Sequence, residues 1–213
     1  MTTEQKIVPA TPFEAKVDQT FLCTEVEIAA ERILLLPISD NYAGEIFQNF
    51  TTEVTQYMVP QTPGRIEETL AFIGNSLEGM KRGENLQFVI VDKVSGEFLG
   101  CCGIHGQGNP TKPELGIWLK IAAHGNRYGK EAIMALVQWA DRHLQYDYLT
   151  YPVDRDNVPS KKIPEALGGE IFEEALCPTQ DGRFLDIVVY RIYPQSGEKE
   201  DKSMEMNLKI TTV

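Results

Sequence analysis

The sequence predicts an α+β domain with a mixed, mostly antiparallel sheet and helices on both faces. Three observations carry this. Two pairs of apolar, β-rich runs read as hairpins: Leu86–Asp92 with Gly96–Ile104 across the turn Lys93-Val-Ser-Gly96, and Glu170–Ala175 with Leu185–Ile192. Helical apolar spacing appears before the first pair, at Ile66, Leu70, Ile73, Leu77 and Met80, and again between the pairs, at Ile133, Met134, Val137, Ala140 and Leu144. Finally, Glu114–Ala132 reads as a strand, a tight polar loop and the first turn of a helix, with another strand at Tyr148–Val153. A strand joined to the next by a helix is a crossover, and it sets the two strands parallel.

Taken in order, residues 1–29 form an N-terminal arm with two prolines and no helical period, able to add a short strand around Thr20–Ile28. Ile33–Ile38 is an early strand. Ser39 or Asp40 caps a helix that sets Ala43, Ile46, Phe47 and Phe50 on one face. Glu53–Met58 is a second short helical piece. Thr62 and Pro63 read as cap and first position of the Ile66 helix, which stops at Gly83. His105–Pro113, with two glycines and two prolines, is a loop. Leu115–Ile121 is a largely buried strand, and the helix after it, starting near Tyr128, runs to about Gln145. Pro159 and Ser160 open a short helix that ends at Gly168-Gly169. A domain over 30–193 is followed by a tail over 194–213. Gln195–Ser203 is a linker, and Met204–Val213 is either an unpaired tail or an added strand, in this subunit or a neighbour. No internal repeat is present.

With 213 residues, 42% hydrophobic and 24% charged, the chain suits one sizeable globular domain. No apolar run approaches the ~20 residues of a bilayer span. The first residues lack the basic-then-apolar pattern of a secretory signal, so a cytoplasmic location is the default expectation. The net charge of −11 argues against a nucleic-acid surface, which needs a basic patch. It suits cationic acceptors such as amines through steering, or serves solubility alone. Four cysteines and three scattered histidines form no Cys-x-x-Cys or His-x-x-x-His spacing. Cys101 and Cys102 are adjacent in a strand and point to opposite faces. No metal site is expected.

The loop His124-Gly-Asn-Arg-Tyr-Gly129 feeds the helix N-terminus. Free N–H groups and the positive dipole end of a helix favour an anion, above all a phosphate. Arg127 and Lys130 add charge. A glycine turn of this kind can equally be a turn and nothing more. A second segment, Asp154-Arg-Asp-Asn157-Val-Pro-Ser160 and onward to Gly168-Gly169, follows the next strand.

Together these segments resemble the GNAT superfamily of acyl-CoA-dependent N-acetyltransferases, and within it the RimJ/RimL-like branch, over roughly Ala30–Ile192. Glu31-Arg-Ile-Leu-Leu-Leu-Pro-Ile-Ser-Asp40 resembles the family's opening strand and turn. Phe50–Met58 and Gly96–Ile104 resemble its first-helix connection and central hairpin. The family's pyrophosphate loop, Gln/Arg-x-x-Gly-x-Gly/Ala, falls on His124, Gly125, Asn126, Arg127, Tyr128 and Gly129. His124 stands where Gln or Arg is usual, and Arg127 where Gly is usual. A helical first-turn conformation at Arg127 would leave the backbone N–H groups usable, and the guanidinium itself can reach a phosphate.

The resemblance implies a sheet whose parallel pair splays, with acetyl-CoA as co-substrate in the wedge. It places the cofactor against Trp118, Leu119, Lys120, His124, Gly125, Asn126, Arg127, Tyr128, Gly129, Lys130, Asn157 and Ser160. It implies direct attack of a primary amine, a protein N-terminus or a small amine, on the thioester, by a monomer or homodimer. An amine with pKa near 10 must lose a proton first. Glu114, at the mouth of the first splayed strand, is the candidate base; its bland alternative is an exposed strand-end carboxylate. The Tyr that many relatives use as acid for the leaving thiolate falls on Pro164, which has no proton to give, so Ser160 or water takes that part. Asn157 is either a cofactor contact or a helix cap. Trp118, Tyr128 and Trp139 also read as packing residues. The alternative function is a non-catalytic acyl-CoA-binding or protein-interaction module on the same fold.

Overall fold

The structure, a computed structural model, describes residues 12–17, 21–106, 108–179 and 181–195. Its strands are β1 (Glu14–Ala15), β2 (Ile28–Ala29), β3 (Ile33–Pro37), β4 (Asn85–Asp92), β5 (Phe98–His105), β6 (Glu114–Leu119), β7 (Leu144–Gln145), β8 (Leu149–Asp154), β9 (Glu170–Pro178) and β10 (Phe184–Ile192). Its helices are α1 (Ala43–Asn49), α2 (Thr52–Thr55), α3 (Ile66–Lys81), α4 (Tyr128–His143) and α5 (Val158–Ala166). Eight strands form one sheet in the order β2-β3-β4-β5-β6-β8-β10-β9, and β1 and β7 pair separately. Every neighbouring pair is antiparallel except β6 and β8. This is the expected α+β sheet.

Alternation along the strands sorts side chains onto two faces. Ile117 and Leu119 lie against the start of α4, while Trp118 faces the other way, with its ring 4.9 Å from Phe50 and 5.8 Å from Phe98. The buried core is continuous and includes Leu35, Phe88, Ile90, Ile104, Leu115, Ile133 and Leu136. The arm residues that are described pack on this body: Phe13 N–H donates to Gly83 O, and the Phe21 ring meets Trp139 edge-on at 5.0 Å.

Several local expectations are revised. The α3 N-cap is Arg65, without a side-chain cap; the Thr62 hydroxyl instead lies 3.2 Å from that of Thr55. Ser39 precedes a short 3-10 turn over Asp40–Tyr42 and makes no capping hydrogen bond. The strand foreseen to Ile121 ends at Leu119, and Ile121–Ala123 is a 3-10 turn. β5 runs one residue further, to His105, which the sequence assigned to a loop. The arm strand foreseen around Thr20–Ile28 shrinks to Ile28–Ala29. The tail strand at Met204–Val213 lies outside the described residues.

Candidate active site

β6 and β8 share one partner pair, Glu114 with Thr150. Thr150 N–H donates to Pro113 O at that point. Beyond it β8 parts from β6, while β6 stays paired with β5 through Leu119. A gap therefore opens towards the α4 end. Lys120 N–H donates to Leu99 O, on the β5 side. Backbone groups alternate sides along a strand, so those of Gly116 and Trp118 also face β5, and those of Ile117 and Leu119 face the gap. Of the three strand positions foreseen as cofactor contacts, Leu119 alone turns its backbone to the gap. Ile117, which the sequence reading passed over, is its partner. The Lys120 side chain is paired with Glu97.

The loop closes the wide end. The His124 ring nitrogen Nε2 donates to Leu119 O at 3.0 Å, which leaves the Leu119 N–H to the gap. Gly125 has φ +79°. Arg127, the N-cap of α4, has φ 63° and ψ 14° and makes no side-chain cap. The expected helical first-turn conformation at Arg127 is thus corrected: this is left-handed backbone, where glycine is at ease and other residues are strained. The cost is about 1–2 kcal/mol. Arg127→Gly relieves it and returns about 0.5–1 kcal/mol as extra freedom of the unfolded chain. A net gain of about 1 kcal/mol should raise the melting temperature by about 2–4 °C for a domain of this size, read in a thermal melt; a lower melting temperature would contradict the strain.

What holds the loop is Arg32, at the entry to β3. Its Nη2 donates to Asn126 O at 3.1 Å, its Nε and backbone N–H donate to the Glu131 carboxylate, and its guanidinium lies 4.6 Å from the centre of the Tyr128 ring. Glu131, the acidic residue of the first α4 turn, is thereby turned to Arg32. The Tyr128, Gly129 and Lys130 N–H groups are first-turn donors with no intrahelical acceptor, and Arg127 and Lys130 are exposed beside them. Gly129 is buried, and a Cβ there would meet Ile163 and Leu119 at 3.5 Å and Ile117 at 3.6 Å. One glycine α-carbon thus sits among α4, β6 and α5, at the gap.

Across the gap, Asn157 caps α5, its side-chain oxygen accepting from Ser160 N–H at 3.3 Å. Asn157 is thus a helix cap, and its amide nitrogen makes no hydrogen bond among the described residues. The Ser160 hydroxyl lies 2.8 Å from that of Tyr151, a buried residue of β8. Burial pushes the Tyr151 phenol up to about 12, so it keeps its proton near neutral pH. Sequence reasoning missed Tyr151. Its signal was the alternation Leu149, Tyr151, Val153, which puts all three on one buried face of β8. Pro164 is buried inside α5.

Glu114 is half-buried at the narrow end of the gap. Burial raises its pKa above the ordinary carboxylate value, and its carboxylate makes no hydrogen bond or ion pair among the described residues. On the far side, the β9–β10 hairpin is tied to α2 by Arg183 Nη1, which donates to Gln56 O at 2.7 Å. Among the described residues, no group of three or more His, Cys, Asp or Glu is placed to hold a metal, and no helix is long and apolar enough to cross a membrane.

The sheet parts at the parallel pair β6 and β8, and an uncapped helix start stands at the open end. The model of the acetyltransferase (GNAT) domain matches residues 32–170. The chain belongs to this family. Among curated proteins, 83 residues are 32% identical to the uncharacterized protein YkkB of Bacillus subtilis (strain 168), covering 38% of this chain and 48% of YkkB. The chain thus matches about half the length of that relative. Among solved structures, the GNAT-family acetyltransferase of Bacillus anthracis has a TM-score of 0.69 at 17% identity, over 79% of this chain and 99% of that one. The Salmonella typhimurium acetyl transferase that modifies the N-terminal serine of ribosomal protein L7/L12 has a TM-score of 0.69 at 15% identity, over 80% and 100%. RimL, the ribosomal L7/L12 α-N-protein acetyltransferase in complex with coenzyme A, has 0.70 at 15%, over 79% and 98%. At these identities the likeness is one of fold.

Proposed function

We propose that this chain transfers the acetyl group of acetyl-CoA to a primary amine by direct attack, with the thioester in the gap between β6 and β8. The observation that carries the reading is the single-pair contact of β6 and β8 leading to an uncapped α4 N-terminus. The pyrophosphate lies on the N–H groups of Tyr128, Gly129 and Lys130, with Arg127 and Lys130 as counter-charges. The pantetheine arm takes the free backbone groups of Ile117 and Leu119, and the Asn157 amide donates to it from α5. The thioester carbonyl lies towards the narrow end, where a β6 N–H stabilises the oxyanion.

The amine nitrogen bonds to the carbonyl carbon, the C–S bond breaks, and the amine proton passes to Glu114 directly or through a water. The Ser160 hydroxyl, oriented by Tyr151, donates a hydrogen bond to the departing sulfur, and the thiolate is finally protonated from solvent. The acceptor is an amine of the RimJ/RimL-like kind, a protein N-terminus or a small amine; the fold does not choose between them. The place of action is the cytoplasm. The test is calorimetry with acetyl-CoA, together with coenzyme A release on three amines: a peptide with a free N-terminal serine, spermidine and kanamycin. Binding with amine-dependent release is expected. Binding without release on any amine would favour the acyl-CoA-binding module, which Pro164 in the acid's place and Arg127 in the loop also suit. Absence of binding would sink both.

A further inference from the structure

His105 ends β5 directly opposite Glu114 of β6. Its ring does not extend away from the sheet. It folds back over Gly103, where a Cβ would come within 2.9 Å of both Cε1 and Nε2, and over Gly116, where a Cβ would lie 3.3 Å from Nε2. Gly103 and Gly116 are themselves cross-strand partners. Two facing positions have given up their side chains, and the imidazole lies on the bare backbone between them. Alternation puts His105, Glu114, Gly116 and Trp118 on one face of the sheet. That is the face of α1, where Phe50 packs on Trp118, and not the face of α4. An amine arriving there reaches the gap from the side away from the phosphate loop. Burial lowers the ring's pKa to about 4, so it is uncharged near neutral pH and offers one lone pair and one N–H. Among the described residues it makes no hydrogen bond.

We propose that His105 receives the acceptor amine, its imidazole accepting a hydrogen bond from the amine N–H on the α1 face of β6. This rests on the acetyl-transfer reading of the same gap. The imidazole holds the nitrogen lone pair towards the carbonyl carbon, and Glu114, on the opposite strand, takes the proton that is lost. The glycine pair sets the height of the ring above the sheet, and so its reach.

The test uses His105→Phe and His105→Gln in the full chain, with the serine peptide, spermidine and kanamycin as acceptors. Phenylalanine keeps an aromatic ring on the glycine floor and removes both nitrogens; glutamine keeps an acceptor oxygen. For His105→Phe, kcat/KM for whichever amines the wild type acetylates should fall about tenfold or more, the scale of one lost hydrogen bond. Its acetyl-CoA affinity by calorimetry should stay within about twofold, and His105→Gln should fall between it and the wild type. Gly116→Ala, which presses on Nε2, should lower kcat/KM in the same sense. A His105→Phe protein that keeps wild-type kcat/KM would make the ring a packing residue and overturn the inference. Should that variant fail to fold, a fall with His105→Gln at unchanged acetyl-CoA affinity supports the inference, and wild-type kcat/KM overturns it. A wild-type protein that binds acetyl-CoA and acetylates none of the three amines would remove the transfer reading itself, a result distinct from either variant outcome.

Discussion

Gly129→Phe should abolish acetyl-CoA binding, with affinity falling below what calorimetry detects, while the protein stays folded. A Cβ at this position already makes van der Waals contact with Ile117, Leu119 and Ile163. Every atom beyond it must enter the space between α4, β6 and α5, which the proposed function gives to the cofactor. Core packing tolerates little added volume without displacement. Gly129→Ala supplies the control. Its Cβ fits at 3.5 Å, an ordinary contact distance, so binding should stay within a few-fold and the helix should gain slightly from the better helix former. Equal affinities for the phenylalanine variant and the wild type would refute the placement of the cofactor.

Glu114→Gln should lower turnover by about 10²-fold or more, the usual scale for loss of a general base, with little change in acetyl-CoA affinity. The pH dependence carries a sign that separates this role from a structural one. Burial raises the Glu114 pKa, so the folded protein holds that proton more tightly than the unfolded chain. The group's contribution to stability is full below the unfolded value and is lost as pH rises through the raised folded value. Ionised Glu114 is therefore a burden on the fold at pH 8. Glu114→Gln should melt no lower than the wild type at pH 8, although it has lost most of its activity. The wild-type rate should rise through the raised pKa, and that limb should flatten in the variant. Near-normal turnover in Glu114→Gln would leave proton removal to bulk water and catalysis to positioning of the substrates.

The strand, loop and helix from Glu114 onward were legible because each of their signals is local. An apolar β-rich run, two glycines and a 3.6-residue period follow one another from Leu115 to Leu144, and the structure has strand, loop and helix in that order. The parallel contact of β6 with β8 followed from the crossover alone. What the sequence hid was set by tertiary contact. Arg127 looks like a residue free to join a helix, yet Arg32 grips Asn126 O and Glu131, ninety-four and ninety-nine residues away in the chain, and fixes the loop around it. The Tyr151–Ser160 pair joins a strand to the next helix across nine positions; alternation places Tyr151 on the buried face of its strand but does not name its hydroxyl partner. In the sequence His105 reads as a loop residue because two prolines and two glycines follow it. The ladder with Glu114 extends the strand by that one residue and turns its ring onto the glycine pair. Thr62 before Pro63 had the form of a cap, but its hydroxyl found Thr55 instead.

The most direct measurement is a crystal structure of this protein with coenzyme A. The pyrophosphate oxygens should lie about 2.7–3.2 Å from the N–H groups of Tyr128, Gly129 and Lys130. The pantetheine arm should run along Ile117 and Leu119 with its sulfur near Ser160. Coenzyme A bound elsewhere, with nothing between β6 and β8, would contradict the account.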